Sequence, residues 1–131
     1  MHKDIVKYNN SQKGEDKKIC TLLAEELDKG LKKAESKVWH GGPVWFLDEN
    51  PIAGYWKRKN GVTLLFWSGQ SFKAKGLKKE GSFKAAEKSY VSTNEIVLKD
   101  LRAWLKDSKI IQWDYKNIVK RKGKLVRIAV K

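Results

Sequence analysis

The fold is decided by residues 52–67, Ile52-Ala53-Gly54-Tyr55-Trp56-Lys57-Arg58-Lys59-Asn60-Gly61-Val62-Thr63-Leu64-Leu65-Phe66-Trp67. Two runs rich in β-branched and aromatic residues flank Asn60-Gly61, the dipeptide most typical of a two-residue hairpin loop. Such a loop predicts Lys59 opposite Val62, Lys57 opposite Leu64, Trp56 opposite Leu65 and Tyr55 opposite Phe66. Side chains alternate between the faces of a sheet. One face then carries Ala53, Tyr55, Lys57, Val62, Leu64 and Phe66, wholly apolar on the second strand, as a face packed beneath helices must be. The other carries Ile52, Gly54, Trp56, Arg58, Thr63, Leu65 and Trp67, with Gly54 opposite Trp67 and space beside that ring.

Upstream, residues 15–36 have a helical period. Cys20, Leu23, Ala24, Leu27, Leu31 and Ala34 form one apolar stripe, and Glu25 before Lys29 and Asp28 before Lys32 stand in the favourable i,i+4 order on the opposite side. Cys20 belongs to the stripe and is expected as a small core residue. Residues 1–14, ending in Asn9-Asn10-Ser11-Gln12-Lys13-Gly14, are expected as a flexible leader. Gly41-Gly42-Pro43 breaks the chain before a short strand over 44–47, and Asp48-Glu49-Asn50-Pro51 is a turn.

Downstream, 68–81 is a glycine- and lysine-bearing loop and 84–91 a strand. Ser92-Thr93-Asn94-Glu95 offers capping chemistry. Leu98, Leu101, Trp104, Leu105, Ile111, Tyr115, Ile118 and Val119 fit one or two C-terminal helices, with a break near Asp107-Ser108. Helix, antiparallel sheet, then helices is a two-layer α+β order. A single domain over 15–125 is expected, followed by a basic tail at 126–131, with Leu125 to Val130 either a short strand or frayed.

The 131 residues suit one domain, and 40% hydrophobic with 11% aromatic residues place it among globular chains. One cysteine gives no disulfide framework, which points to a reducing compartment. The first ten residues lack the apolar stretch of a signal peptide, and the longest apolar runs fall far short of a membrane span. A cytoplasmic location and no membrane partner are expected. Twenty-nine Lys and Arg against fifteen Asp and Glu give a formal charge of +14. That balance suits an anionic partner such as nucleic acid or phosphate, or a merely solubilising lysine surface.

Three stretches, Trp39-His40-Gly41-Gly42-Pro43-Val44-Trp45-Phe46-Leu47, Phe66-Trp67-Ser68-Gly69-Gln70-Ser71-Phe72 and Ile111-Gln112-Trp113-Asp114-Tyr115-Lys116-Asn117-Ile118, resemble the YdhG-like family, a domain of unknown function. The resemblance covers about residues 17–125 and implies a two-layer α+β domain. Some members are similar to frataxin-like iron chaperones, which would imply iron on an acidic ridge. Here Glu15, Asp16, Glu25, Glu26, Asp28 and Glu35 are interleaved with Lys17, Lys18, Lys29, Lys32 and Lys33, whereas a hard cation wants convergent carboxylates without ammonium neighbours. His40 also departs from the tyrosine that many relatives place before Gly-x-Pro.

The catalytic inventory is thin. His2 and His40 are the histidines, no Cys/His cluster has zinc spacing, and Gly41-Gly42 leads into proline rather than a phosphate loop. No catalytic residue, metal ligand or cofactor is assigned. The mixed hairpin face has the make-up of a ligand surface, mostly apolar walls with a few polar groups, unless the C-terminal helices cover it and its tryptophans are core. Trp56, Arg58 and Trp67, with His40 and Trp45 from the neighbouring strand, form the candidate ligand-binding set. The leading expectation is a non-enzymatic domain for a small anionic or aromatic ligand or a peptide. Alternatives are a nucleic-acid-binding domain that stacks bases on these aromatics and the frataxin-like iron chaperone.

Overall fold

The structure is a computed structural model that describes residues 1–128. In chain order it contains α1 (Lys3–Ser11), α2 (Gly14–Gly30), β1 (Glu35–Trp39), β2 (Gly42–Leu47), β3 (Asn50–Arg58), β4 (Gly61–Phe66), β5 (Lys78–Lys79), β6 (Ala86–Tyr90), α3 (Leu98–Ile110), β7 (Gln112–Trp113) and β8 (Arg127–Ile128). Six strands form one sheet in the order β1-β2-β3-β4-β6-β5, every neighbouring pair antiparallel, and β7 pairs with β8. An N-terminal helix, a central antiparallel sheet and a C-terminal helix make this an α+β fold.

The hairpin of 52–67 is present with a different turn. Lys57 pairs with Val62, Trp56 with Thr63, Tyr55 with Leu64 and Gly54 with Leu65. Each partner lies two residues nearer the turn than a loop at Asn60-Gly61 predicts. The shift is even, so every side chain keeps its face. Lys59 and Asn60 form the loop, and Gly61, paired with Arg58, carries the positive φ of +109°, so the loop is not the type I′ turn that Asn60-Gly61 would form. Paired positive φ values occur instead at His40 (52°) with Gly41 (84°), joining β1 to β2, and at Asp48 (49°) with Glu49 (67°), joining β2 to β3. Both are the geometry of type I′ turns.

All three helices lie on one side of the sheet. Ile5 from α1, the stripe Ile19, Cys20, Leu23, Ala24 and Leu27 from α2, and Leu101, Trp104 and Leu105 from α3 share one buried core with Trp45, Ala53, Tyr55, Val62, Leu64, Phe66 and Tyr90 from the strands. This inner face is the apolar set of the hairpin pattern. Cys20 sits within it, its thiol pushed up to about 12 by burial and then by the Asp16 carboxylate, the environment of an inert structural cysteine.

Three expectations are corrected. Residues 3–11 of the expected leader are helical. Ile5 is fully buried and Asn9 accepts a 2.6 Å hydrogen bond from the Tyr55 hydroxyl, so α1 is tied to the core by contacts its polar composition conceals. Helix α2 stops at Gly30, and 35–39 form the edge strand β1 rather than a last helical turn. Beyond Ile110 there is no second C-terminal helix among the described residues. There the Asp114 carboxylate captures Asn117 N–H, the Asn117 side chain and Arg121, local bonds that compete with helix formation. Of the expected basic tail, Arg127–Ile128 pair with Gln112–Trp113, and 129–131 lie outside the described residues.

Candidate functional site

The outer face of the sheet carries an aromatic tile built from β1, β2, β3 and the end of β4. The His40-Gly41 turn pairs Trp39 with Gly42 and Lys37 with Val44, which sends Lys37 and Trp39 to the same side as Val44 and Phe46. Strand β3 adds Gly54 and Trp56, and β4 adds Thr63 and Leu65. Ring centroids then follow in sequence: Phe46 to Trp39 at 5.4 Å, Trp39 to Trp67 at 6.1 Å, and Trp67 to Trp56 at 5.7 Å, all tilted or edge-on, as ring quadrupoles prefer. The three tryptophans are half-buried, and Val44 beneath them is fully buried although it points away from the main core.

Two glycines seat Trp56. A Cβ at Gly42 would overlap the Trp56 indole, and one at Gly54 would press on both Val44 and the far edge of that ring. The space expected beside Trp67 at Gly54 is therefore occupied by Trp56 itself. Its Nε1–H donates to the His40 carbonyl oxygen at 3.2 Å, so the turn and the ring hold each other. The His40 imidazole is exposed and lies edge-on to Trp39 at 4.1 Å.

Cations border the tile. The Arg58 guanidinium lies 5.9 Å from the Trp56 ring and the Lys37 ammonium 4.9 Å from the Phe46 ring, both over π faces. Of the five expected site residues, His40, Trp56 and Trp67 are brought together, and Arg58 stands at the rim. Trp45 is not part of the site: strand alternation turns it inward, fully buried, where its Nε1–H donates to Asp28 at 2.8 Å. Trp39 and Phe46 were missed. Once β1 is recognised as a strand, the alternation Lys37-x-Trp39 is the signal that places Trp39.

A second aromatic, Trp113, is fastened across the end of the sheet. Its backbone N–H donates to Ser68 Oγ (2.9 Å) and its indole N–H to Ser71 Oγ (3.0 Å), and Lys84 Nζ lies 4.7 Å over the ring. Four of the five carboxylates of α2 are engaged by donors. Glu15 accepts from Thr93 N–H, Asp16 pairs with Lys57 at 2.9 Å, Glu26 is held by Arg102, and Asp28 accepts from Trp45. Among the described residues no three His, Cys, Asp or Glu side chains converge as a metal-binding group, and no helix is long and apolar enough to cross a membrane. The chain matches no family model, no curated protein and no solved structure.

Proposed function

We propose that this chain is a non-enzymatic binding domain whose ligand lies against the outer face of the sheet. The observation that carries the reading is the run Trp39–Trp67–Trp56, partly exposed on the side of the sheet opposite all three helices. Aromatic faces with cations at their rim suit a flat, unsaturated group that bears negative charge. Membership of the YdhG-like family is part of the proposal. It is supported by the three motif stretches meeting in space: Trp39 packs on Trp67, and Ser68 and Ser71 hold Trp113. The frataxin-like reading draws less support, because most carboxylates of α2 already serve protein donors.

Titration with adenosine monophosphate, adenosine and inorganic phosphate, followed through the indole N–H resonances, tests the proposal. Adenosine monophosphate is expected to move the Trp39, Trp56 and Trp67 signals and adenosine to move them less. Arg58→Ala should weaken the nucleotide more than the nucleoside. Perturbations confined to Trp45, Trp104 or Trp113 would overturn it.

A further inference from the structure

A lysine-lined groove lies away from the aromatic tile and leads towards it. Helices α2 and α3 approach closely where Gly30 meets Leu105, a contact that a Cβ at position 30 would push apart. Beside that contact opens a cleft of about 410 Å³ bordered by Lys29, Arg102, Lys106 and Lys109. A second hollow of about 580 Å³ shares Lys29, Gly30 and Lys109 and continues past Lys32 and Lys33 over Leu31 and Leu47. A third shares Lys33, passes Lys116 and ends at Phe46, the first ring of the tile.

The first two hollows are lined by six cations and one carboxylate, Glu26, which Arg102 already holds through two hydrogen bonds of 2.9 and 3.3 Å. Among the described residues none of the five lysines lies within 4.0 Å of a carboxylate. Lys29 and Lys109 stand in the last turns of their helices, where the macrodipole favours a cation. Lys32 and Lys33 lie past the end of α2 and gain nothing comparable. The third hollow carries three carboxylates, Glu35, Asp48 and Glu49, against Lys33 and Lys116, so phosphate contacts are confined to the two hollows between the helix ends.

We infer that this groove takes the phosphate chain of a single-stranded nucleic acid that continues past the β2–β3 turn, so that bases further along the strand reach the Trp39–Trp67–Trp56 tile on the other face of the sheet. The inference rests on the proposed binding role of that tile for its base contacts and on the groove alone for its phosphate contacts. Charge complementarity selects the partner. A run of unpaired ammoniums along a groove matches a linear polyanion, and partly exposed aromatic rings on an open sheet face are sequence-tolerant stacking surfaces. A duplex would keep its bases away from the tile.

The test is fluorescence anisotropy of a labelled dodecathymidylate with the full chain at 50 and 200 mM salt. Five phosphate contacts predict a slope near −3.5 in the logarithmic salt plot and roughly a 100-fold loss across that range. Lys33→Ala with Lys109→Ala should flatten the slope by about 1.4 and weaken binding at least tenfold. Lys3→Ala with Lys7→Ala, on α1, matches their change in net charge and should do neither. An abasic strand of equal length should bind at least tenfold more weakly than the thymidylate. Equal binding of both strands, with the groove variants still defective, would sink the tile and leave the groove. Thymidylate binding that depends on Trp67 but is unmoved by the groove variants would sink the groove. Equal effects of the α1 and groove pairs, equal affinity for a duplex, or full competition by tripolyphosphate at matched phosphate concentration would also overturn the inference.

Discussion

Gly42 and Trp56 fit together as seat and occupant: the indole lies where a Cβ on residue 42 would project, with its N–H on the carbonyl of His40. The arrangement fixes both the β1–β2 turn and the centre of the aromatic tile. Gly42→Ala should therefore displace the Trp56 ring and destabilise the domain by about 1–3 kcal/mol, the range for overpacking. Trp56→Ala removes a half-buried ring and should cost about 2 kcal/mol, less than the 3–5 kcal/mol of a fully buried tryptophan. Urea denaturation of both variants checks this. A cost above 4 kcal/mol for Trp56→Ala would mean that the tile is core.

Glu49 is an exposed residue at a φ of 67°, a conformation that costs an L-residue about 1–2 kcal/mol. Glu49→Gly relieves that strain but adds unfolded-state entropy. A net gain of about 0.5–1 kcal/mol is expected from thermal denaturation, and Glu49→Val should lose stability.

Helix α1 contributes to stability through a few contacts. Ile5→Ala should cost about 2–5 kcal/mol, as for other fully buried aliphatic truncations. Tyr55→Phe should cost about 1 kcal/mol or more, since it leaves the Asn9 side chain without the hydroxyl that donates to it. A loose N-terminal segment would give no change for Ile5→Ala on chemical denaturation.

Acid should weaken the fold through identifiable carboxylates. Glu15 is held below its ordinary value by Thr93 N–H, and Glu95 by the N–H groups of Val91 and Ser92. Burial raises Asp114, but hydrogen bonds from Asn117 and Arg121 outweigh it and leave the group lowered. Groups with depressed folded values stabilise fully above their unfolded values near 4 and lose that contribution as pH falls through the lowered ones. The deficit of Asp114→Asn in urea midpoint should be full at pH 6 and shrink steadily below about pH 4. A constant deficit down to pH 2.5 would contradict the assignment.

Ferrous iron should bind only weakly and in a salt-sensitive way. Glu26 and Asp28 would have to abandon Arg102 and Trp45 to coordinate it. Anaerobic calorimetry that revealed a saturable micromolar site at Glu25, Glu26 and Asp28 would reverse this.

The elements legible in the sequence are those whose apolar period is long and regular. The stripe of α2 and the alternation of 52–67 both declare a buried face, and the even register shift left the faces intact. What stayed hidden depends on contacts distant in sequence. Helix α1 shows one fully buried aliphatic residue, and its hold on Tyr55 through Asn9 spans 46 positions. Strand β1 depends on a type I′ turn made by His40-Gly41, while the Asn60-Gly61 pair that advertises such a turn adopts another. For the site, alternation placed Trp56 and Trp67 correctly together. Trp45 was misplaced because the facing of β2 is set by that unrecognised turn, and Trp39 was missed with its strand.

The outermost strand on one side of the sheet, β5, is only two residues long, and both are exposed lysines paired with Glu87 and Ala86. Short length and like charge keep an unpaired strand edge from recruiting a second molecule. The charge half of that guard is chemical, so it can be removed without unfolding anything, while the short length stays. Acetylation of Lys78 and Lys79, or a pH above the lysine range, would leave length alone to protect this edge from intermolecular strand pairing.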